Sequence, residues 1–142
     1  HAQLNATSKT YVYRMTIDDV PSVFDRKYIY HCYKIPDKKL MQQAAMLLIG
    51  KHDFKNFSSA KKSKSTVREI YEIEVYGDTE EMQILIRADD FLHNMARLLI
   101  GTLLDIGLGN RMKEDIEDIF AGIQNPSAPC DPKGLYLQEI TY

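Results

Sequence analysis

Hydrophobic and polar residues alternate along three segments of the chain, which is the pattern of β-strands with one buried face. These segments are residues 9–17, 66–77 and 81–88. Turn-forming residues at positions 77–79 separate the last two segments, which therefore predict an antiparallel hairpin. In the second segment the inward face is expected to comprise Val67, Tyr71, Ile73 and Val75, with Ile70 out of step.

Apolar residues spaced three and four apart predict three helices. They cover residues 38–49, 91–107 and 112–121. Asp37 is the expected N-cap of the first helix, and Gly50 is its expected C-cap. Asp89 or Asp90 is expected to cap the second helix, whose apolar residues go nearly all the way round. We therefore expect the second helix to be buried.

The remaining segments complete an α+β pattern. Weaker strand signals occupy residues 28–33 and 134–140, and residues 18–22 indicate a turn. Residues 51–64 are polar and basic, and Phe54 and Phe57 within them predict a surface loop with two aromatic anchors. Because strands and helices interleave, we expect a single α+β domain over residues 1–142, with a mixed, mostly antiparallel sheet and helices packed on one face.

Charge gives a mixed indication about nucleic acids. The formal net charge is −2, whereas phosphate binding favours positive charge. Lys61, Lys62 and Lys64 nevertheless lie within four positions, and Arg68 follows one turn later. This run has two interpretations, a solvated loop or a set of contacts to RNA phosphates.

Cysteine usage and motifs exclude several classes. Cys32 and Cys130 lie far apart without a partner motif, so we expect reduced thiols in a cytoplasmic protein, with a single disulfide as the alternative. The apolar runs are too short to span a membrane. Histidines and cysteines lack metal-ligand spacing, and neither a phosphate-binding glycine loop nor a nucleophile elbow occurs. We expect no metal and no cofactor, and the chain alone does not look like a complete enzyme.

Arg97 is the most informative single residue, because it lies in the second, apolar helix. Arginine keeps its charge in proteins and needs an acceptor, typically a carboxylate bound in bidentate geometry. Asp90 is too far along the helix and Asp105 points elsewhere. A core ion pair with a distant carboxylate such as Glu72 is one interpretation, and a carboxylate or phosphate from outside this chain is the other. His93, one turn earlier, is expected to be a packing residue.

Five short motifs, in order, resemble those of the tRNA pseudouridine synthase A family. They are HA at residues 1–2 leading into YVY at 11–13, GKHDF with a later Phe at 50–57, TVR with a later Ile at 66–70, FLHNMAR with a later Gly at 91–101, and GLYL at 134–137. The chain departs from the family pattern at Gln3, where Arg is usual, and at Ala96, where Val is usual. Each motif is weak alone, but their ordered combination along nearly the whole chain is specific.

The resemblance implies a function and an incomplete chain. Enzymes of this family are two-domain α+β proteins, usually homodimers, that convert uridines of the tRNA anticodon arm (sites 38 to 40) to pseudouridine without a cofactor. Their nucleophile is an aspartate in an Arg-Thr-Asp motif of the N-terminal half, and that motif does not occur in this chain. We therefore expect the chain to be the C-terminal half of such an enzyme, inactive without an N-terminal domain.

The resemblance also implies roles for two residues. The family arginine that pairs with the catalytic aspartate corresponds to Arg97, and the substrate-contacting tyrosine corresponds to Tyr11. A positive charge beside the aspartate keeps it ionised, and a tyrosine ring offers a stacking surface for a flipped uracil. Without the resemblance, the first expectation for Tyr11 is a core residue of the sheet.

Two other functions fit the sequence less fully. A stand-alone RNA-binding module would retain the basic run at residues 61–68 and make Arg97 structural. A dimerisation domain with no nucleic-acid role would place all the aromatic residues in the core. The first predicts tight RNA binding by this chain alone, and the second predicts none even in a longer protein.

Overall fold

A computed structural model describes residues 6–17, 29–32, 34–59, 65–78 and 80–142. Within these residues, six strands and three α-helices interleave, which confirms the predicted α+β class. The elements are β1 (Ser8–Thr16), β2 (Tyr30–His31), α1 (Lys38–Met46), β3 (Gly50–Asp53), β4 (Val67–Gly77), β5 (Glu81–Ala88), α2 (Met95–Gly107), α3 (Asp115–Phe120) and β6 (Leu135–Thr141). Short 3-10 turns at Lys55–Phe57 and Pro132–Gly134 precede β4 and β6.

The described strands form one sheet in the order β2-β1-β5-β4-β3, with β6 also paired to β1. Four of its strand pairs are antiparallel, and only the short pairing of β1 with β2 is parallel. Along one edge of β1, β6 pairs with Ser8–Tyr13 and β2 pairs with Met15 and Thr16. The sheet is therefore mixed and mostly antiparallel, as predicted.

The hydrophobic core lies between one face of the sheet and the helices. From the sheet it receives Tyr13, Met15, Ile84 and Ile86, and from the helices it receives residues such as Leu99. The opposite face buries Val12 but also carries polar pairs, since Arg14 donates to Glu81 at 2.7 Å and the Tyr76 hydroxyl donates to Gln83. Because successive strand residues point to opposite faces, this asymmetry fixes the sheet's register.

The predicted inward face of β4 is partly wrong because the strand contains a bulge. The pairing of β4 with β5 shifts register between Ile70 and Glu72. A bulge inserts one unpaired residue and reverses the alternation beyond it. Ile70 and Ile73 are therefore both buried, whereas Val67 and Tyr71 are exposed. The departure of Ile70 from the alternation was the sequence signal of this bulge.

The ends of the predicted elements differ from those observed. The Asp37 carboxylate accepts from the Leu40 backbone N–H at 3.1 Å, which confirms the N-cap of α1. The helix ends at Met46, however, and Gly50 begins β3 with φ of 102° rather than capping the helix. The third helix is shorter than predicted. Residues 18–28 and residue 33 lie outside the described residues, so the predicted turn at 18–22 and both ends of the predicted strand at 28–33 do too.

The loop predicted at residues 51–64 is more ordered than expected where the structure describes it. Residues Gly50–Asp53 form β3 and pair antiparallel with β4. Phe54 and Phe57 are both fully buried, which confirms them as anchors. The His52 ring stacks on Phe120 with centroids 4.8 Å apart, and its Nε2 lies 2.9 Å from the Ile49 carbonyl oxygen. Packing therefore explains His52 and Phe54 of the GKHDF motif, whereas Lys51 and Asp53 are exposed.

Helix α2 is buried nearly all round, as predicted, but it begins four residues later. Eleven of its thirteen residues are buried. Neither Asp89 nor Asp90 caps it: the Asp89 carboxylate accepts from the backbone N–H of Glu69 at 2.9 Å, and the Asp90 carboxylate accepts from Lys9 at 2.8 Å. These hydrogen bonds link the end of β5 to β4 and to β1, and the chain turns before it enters α2.

Candidate active-site pocket

The two residues singled out from the sequence line the same pocket. Tyr11 projects from β1 and Arg97 from the first turn of α2, and both border a cavity of about 130 Å³. Phe91 and Asn94 contribute to its walls, and Leu135 closes one side. Positions on two different elements thus converge on one site, although the sequence separates them by 86 residues (97 − 11).

The Tyr11 ring is held edge-on by an aromatic neighbour. Its centroid lies 4.9 Å from that of Phe91, with the ring planes at 90°. Within the sheet, Tyr11 pairs with Ile86 on one side and Leu137 on the other. Tyr11 is half-buried, whereas Tyr13, two residues on, is fully buried. A fully enclosed position in the core therefore describes Tyr13 better than Tyr11.

The Arg97 guanidinium is oriented by uncharged oxygen atoms. Its Nε and Nη2 donate to the Cys130 carbonyl oxygen at 3.2 and 3.0 Å, and its Nη1 donates to Asn94 Oδ1 at 3.3 Å. A guanidinium has five N–H donors. Three are used, so one N–H on each terminal nitrogen remains for a further acceptor such as a carboxylate.

Within the described residues, Arg97 has no carboxylate partner. The ion pairs there join Lys9 to Asp90, Arg14 to Glu81, Arg87 to Glu72, and Arg111 to Asp115. Glu72, the carboxylate considered for a core ion pair, is therefore engaged by Arg87 with a separation of 3.6 Å. Arg97 is also half-buried rather than fully buried, because α2 begins only two residues before it.

Gly101 allows residues 127–130, which bind the Arg97 side chain, to pack directly against α2. A Cβ atom at Gly101 would lie 2.1 Å from the Ala128 carbonyl oxygen, far inside contact distance. The Ser127 backbone N–H donates to the Thr102 hydroxyl at 3.1 Å, and the Cys130 N–H donates to the Arg97 carbonyl at 3.0 Å. We call residues 127–130 the strap. The strap places the Cys130 carbonyl within reach of the guanidinium.

Two buried groups at the strap, the Cys130 thiol and the Tyr13 phenol, stay neutral near pH 7 because the pKa of each is raised. Burial raises the pKa of the Cys130 thiol to about 11, although the positive charge of Arg97 opposes the rise. Burial also raises the pKa of the Tyr13 phenol, whose hydroxyl donates to the Asp131 carbonyl at 2.9 Å. Since the thiolate is the reactive form of cysteine, Cys130 is not suited to act as a nucleophile.

An ion pair near Tyr11 was not predicted from the sequence. Lys9 projects from the same face of β1 as Tyr11 and donates to Asp90 at 2.8 Å. Burial alone would raise the pKa of Asp90, but hydrogen bonds from Lys9 and the Phe91 N–H and the charges of Lys9 and Arg68 hold it below its usual range. The position of Lys9 two residues before Tyr11 was the signal available in the sequence.

Of the predicted phosphate contacts, only Arg68 is described. Lys61, Lys62 and Lys64 lie outside the described residues. Arg68 is half-buried, and its Nη1 donates to the carbonyl oxygens of Ser65 and Val67 at 3.1 and 2.7 Å. The predicted roles of all four residues, and those of Arg97 and Tyr11, stay predictions.

The described residues offer no cluster for a metal ion, since His, Cys, Asp and Glu do not gather there in threes. None of the helices in that part of the chain is long and apolar enough to cross a membrane. Cys32 and Cys130 are buried free thiols. His93 was expected to be a packing residue, but its side chain is exposed; its carbonyl oxygen accepts from the Ser59 N–H at 2.9 Å.

The pocket and sheet define an α+β protein in which an arginine and two aromatic rings line one cavity. Residues 44–142 match the family described as tRNA pseudouridine synthase, and the chain belongs to this family. It is 39% identical over 145 residues to the "tRNA pseudouridine synthase A 2" of Bacillus anthracis and 37% identical over 146 residues to the "tRNA pseudouridine synthase A" of Oceanobacillus iheyensis. A protein of Clostridium perfringens with the former name is 36% identical.

These relatives are longer than the chain. The alignments cover all of this chain but only 59%, 58% and 59% of the three relatives, respectively. The family resemblance seen in the motifs is confirmed by these matches. The chain thus corresponds to somewhat more than half of the proteins to which it is similar.

Proposed function

We propose that this chain is the C-terminal half of a tRNA pseudouridine synthase, which isomerises uridines at sites 38 to 40 of the tRNA anticodon arm. The catalytic aspartate would come from an N-terminal domain that is not part of this chain. Family membership supports the reaction class, and the unmatched 41% of the first relative's length (100 − 59) supports a further domain.

One observation carries the proposal: Arg97 is aimed by uncharged groups and keeps two N–H donors for a partner. A buried or half-buried arginine without a carboxylate is costly unless another acceptor completes its hydrogen bonds. The Cys130 carbonyl and the Asn94 amide satisfy three donors and leave one on each terminal nitrogen. A catalytic aspartate in the adjoining pocket would accept from these two donors and would be kept ionised by the positive charge.

The residues of the pocket would then have separate roles in the isomerisation. The target uridine must leave the base stack, and Tyr11 offers its ring to the flipped uracil. The glycosidic bond between N1 and C1′ breaks, the uracil rotates, and a bond forms between C5 and C1′. C5 loses its proton, and N1 gains one, so that atoms and charge balance. Arg97 orients the aspartate throughout.

The partners follow from the same proposal. The anticodon arm of tRNA is the substrate, and Lys61, Lys62, Lys64 and Arg68 contact its phosphates. The complete enzyme is a cytoplasmic homodimer and uses no cofactor. The family match supports the choice of tRNA as substrate, and the remaining points rest on the sequence resemblance.

The decisive experiment compares two proteins in a pseudouridine assay on unmodified tRNA. One is this chain alone, and the other is this chain joined to its native upstream segment. We expect pseudouridine only with the longer protein, because only that protein contains the nucleophile. Turnover by the short chain would overturn the half-enzyme proposal. Inactivity of both, with tRNA bound by the short chain, would favour an RNA-binding module instead.

A further inference from the structure

Asn94 has an unusual backbone conformation directly before the helix that carries Arg97. Its φ is 64° and its ψ is 1°, and among the described residues it is the only non-glycine residue with positive φ. It occupies the N-cap position of α2, yet its side chain does not cap the helix. A non-glycine residue in this conformation persists only where the surrounding structure holds it, and such residues cluster at functional sites.

The oxygen and the nitrogen of the Asn94 side-chain amide both form hydrogen bonds, and neither bond caps the helix. Oδ1 accepts from Arg97 Nη1 at 3.3 Å, and Nδ2 donates to Ser59 Oγ at 3.3 Å. The Ser59 backbone N–H donates in turn to the carbonyl oxygen of His93 at 2.9 Å. Asn94 therefore links the Arg97 guanidinium to Ser59, the last described residue of the preceding loop.

Ser59 belongs to a segment that is firmly attached to the core. The Phe57 side chain, two residues earlier, is fully buried. Asn56 Nδ2 donates to the carbonyl oxygens of Ile119 and Phe120 at 3.1 and 3.3 Å. These contacts hold residues 56 and 57, and the Ser59 N–H bond to the His93 carbonyl keeps Ser59 beside the Asn94 amide.

We infer that Asn94 is a positioning residue, which aims the two free N–H groups of Arg97 into the pocket. The Cys130 carbonyl occupies the side of the guanidinium formed by Nε and Nη2, and Asn94 Oδ1 holds Nη1. Together they restrict rotation about the last bonds of the arginine side chain. This inference rests on the proposed function, since it assigns Arg97 a carboxylate partner.

Asn94→Gly in the complete protein is the direct test. Glycine adopts positive φ without strain, so the fold is preserved while the amide is removed. We expect single-turnover pseudouridine formation at saturating tRNA to fall roughly 10- to 100-fold, because small misplacements of reacting groups cost this much. The Kd for tRNA and the melting temperature should stay within error of the wild-type values.

The pH dependence of the rate separates positioning from a structural role. A well-aimed Arg97 depresses the pKa of the aspartate, so a loosened arginine should move the acidic limb of the profile to higher pH by roughly one unit. Asn110→Gly is the matched control, since Asn110 is exposed at the other end of α2. Ser59→Ala removes only the anchor of the amide and should cause a smaller loss of the same kind.

The outcomes distinguish this inference from the proposed function. If Arg97→Lys abolishes turnover while Asn94→Gly keeps the wild-type rate and profile, the inference is wrong and the proposed function stands. If Arg97→Lys keeps the wild-type rate, the pairing of Arg97 with the aspartate and the positioning role of Asn94 are both overturned, whereas the isomerisation stands. If the wild-type complete protein forms no pseudouridine, the proposed function is overturned. A loss of rate in Asn94→Gly explained entirely by weaker tRNA binding or a lower melting temperature would also overturn the positioning role.

Discussion

Arg97 and Cys130 are joined by hydrogen bonds in both directions. The Cys130 N–H donates to the Arg97 carbonyl oxygen at 3.0 Å, and the Arg97 guanidinium donates to the Cys130 carbonyl oxygen at 3.0 and 3.2 Å. The backbone of the strap and the side chain of the arginine therefore fix each other. Any change that lifts the strap from α2 should also release the guanidinium.

Gly101→Ala is predicted to lift the strap. Its Cβ would meet the Ala128 carbonyl oxygen at 2.1 Å, and backbone cannot move aside cheaply. We expect the free energy of unfolding to fall by about 1–3 kcal/mol, the usual cost of overpacking. Gly107→Ala is the comparison at a second glycine of α2, because the Cβ there would meet side-chain atoms of the buried Met41 and of Pro36 rather than backbone. Urea denaturation measures the stability of both variants, and a wild-type stability for Gly101→Ala would contradict the role of Gly101.

Arg97→Lys is predicted to reduce pseudouridine formation by the complete protein by roughly 10²–10³-fold, the usual cost of losing an oriented donor at a reacting centre. Lysine keeps the charge but cannot present two parallel N–H groups. Arg87→Lys is the matched control, because Arg87 lies on the other face of the sheet and pairs with Glu72. The measurement is kcat on anticodon-arm RNA, and similar losses in both variants would remove the argument for Arg97.

Tyr11→Ala is predicted to weaken catalysis because the stacking surface is removed. Stacking of a base on an aromatic ring contributes about 1–3 kcal/mol, so kcat/KM should fall roughly 5- to 150-fold. Tyr71→Ala provides the control, since Tyr71 is an exposed tyrosine beside Arg87. The assay is tritium release from C5-labelled uridine. An unchanged kcat/KM for Tyr11→Ala would show that the flipped base lies elsewhere.

Stability is predicted to fall at alkaline pH. The pKa of Cys130 rises from 9.0 to about 11 on folding, so the neutral thiol stabilises the fold fully below about pH 9, and this contribution disappears as pH rises through about 11. The raised pKa of Tyr13 acts in the same direction. Denaturation midpoints measured across this range should decline, and Cys130→Ala should make the decline shallower. An identical decline in the variant would exclude the thiol as a cause.

Changing Lys61, Lys62 and Lys64 to serine in one variant is predicted to weaken binding to tRNAs of any sequence by a similar factor. For every phosphate that the variant no longer neutralises, the slope of log K against log salt should decrease by about 1. The control removes the same charge from Lys34, Lys39 and Lys113, of which the first two are exposed near the start of α1. Filter binding at several salt concentrations measures the slopes. Equal slopes for the two triple variants would favour a solvated loop.

The alternation of β1, β4 and β5 predicted the hairpin and most of the sheet, because a buried face imposes a period of two residues. The same rule misplaced Val67 and Tyr71, since alternation cannot show on which side of a bulge a residue lies. The start of α2 was also misplaced, because Asp89 and Asp90 are good capping residues in sequence but are bonded elsewhere in the fold.

The candidate pocket was predictable only in part. The resemblance indicated Tyr11 and Arg97, and the structure places them around one cavity. The groups that hold Arg97 were not predictable, because Cys130 contributes a backbone carbonyl, which every residue type possesses. The role of Asn94 was also not predictable, since positive φ in a non-glycine residue leaves no pattern in a single sequence.

The pairing of β1 on both edges has a consequence for how this protein can vary. β5 pairs with one edge of β1 from Lys9 to Thr16, and β6 pairs with the other edge from Ser8 to Tyr13. With the earlier pairs kept, deleting one residue before Tyr11 would turn its ring to the opposite face and present Val12 to the pocket, and inserting one residue would present Thr10 there. The length of this strand is therefore as constrained as the identity of any residue in the site.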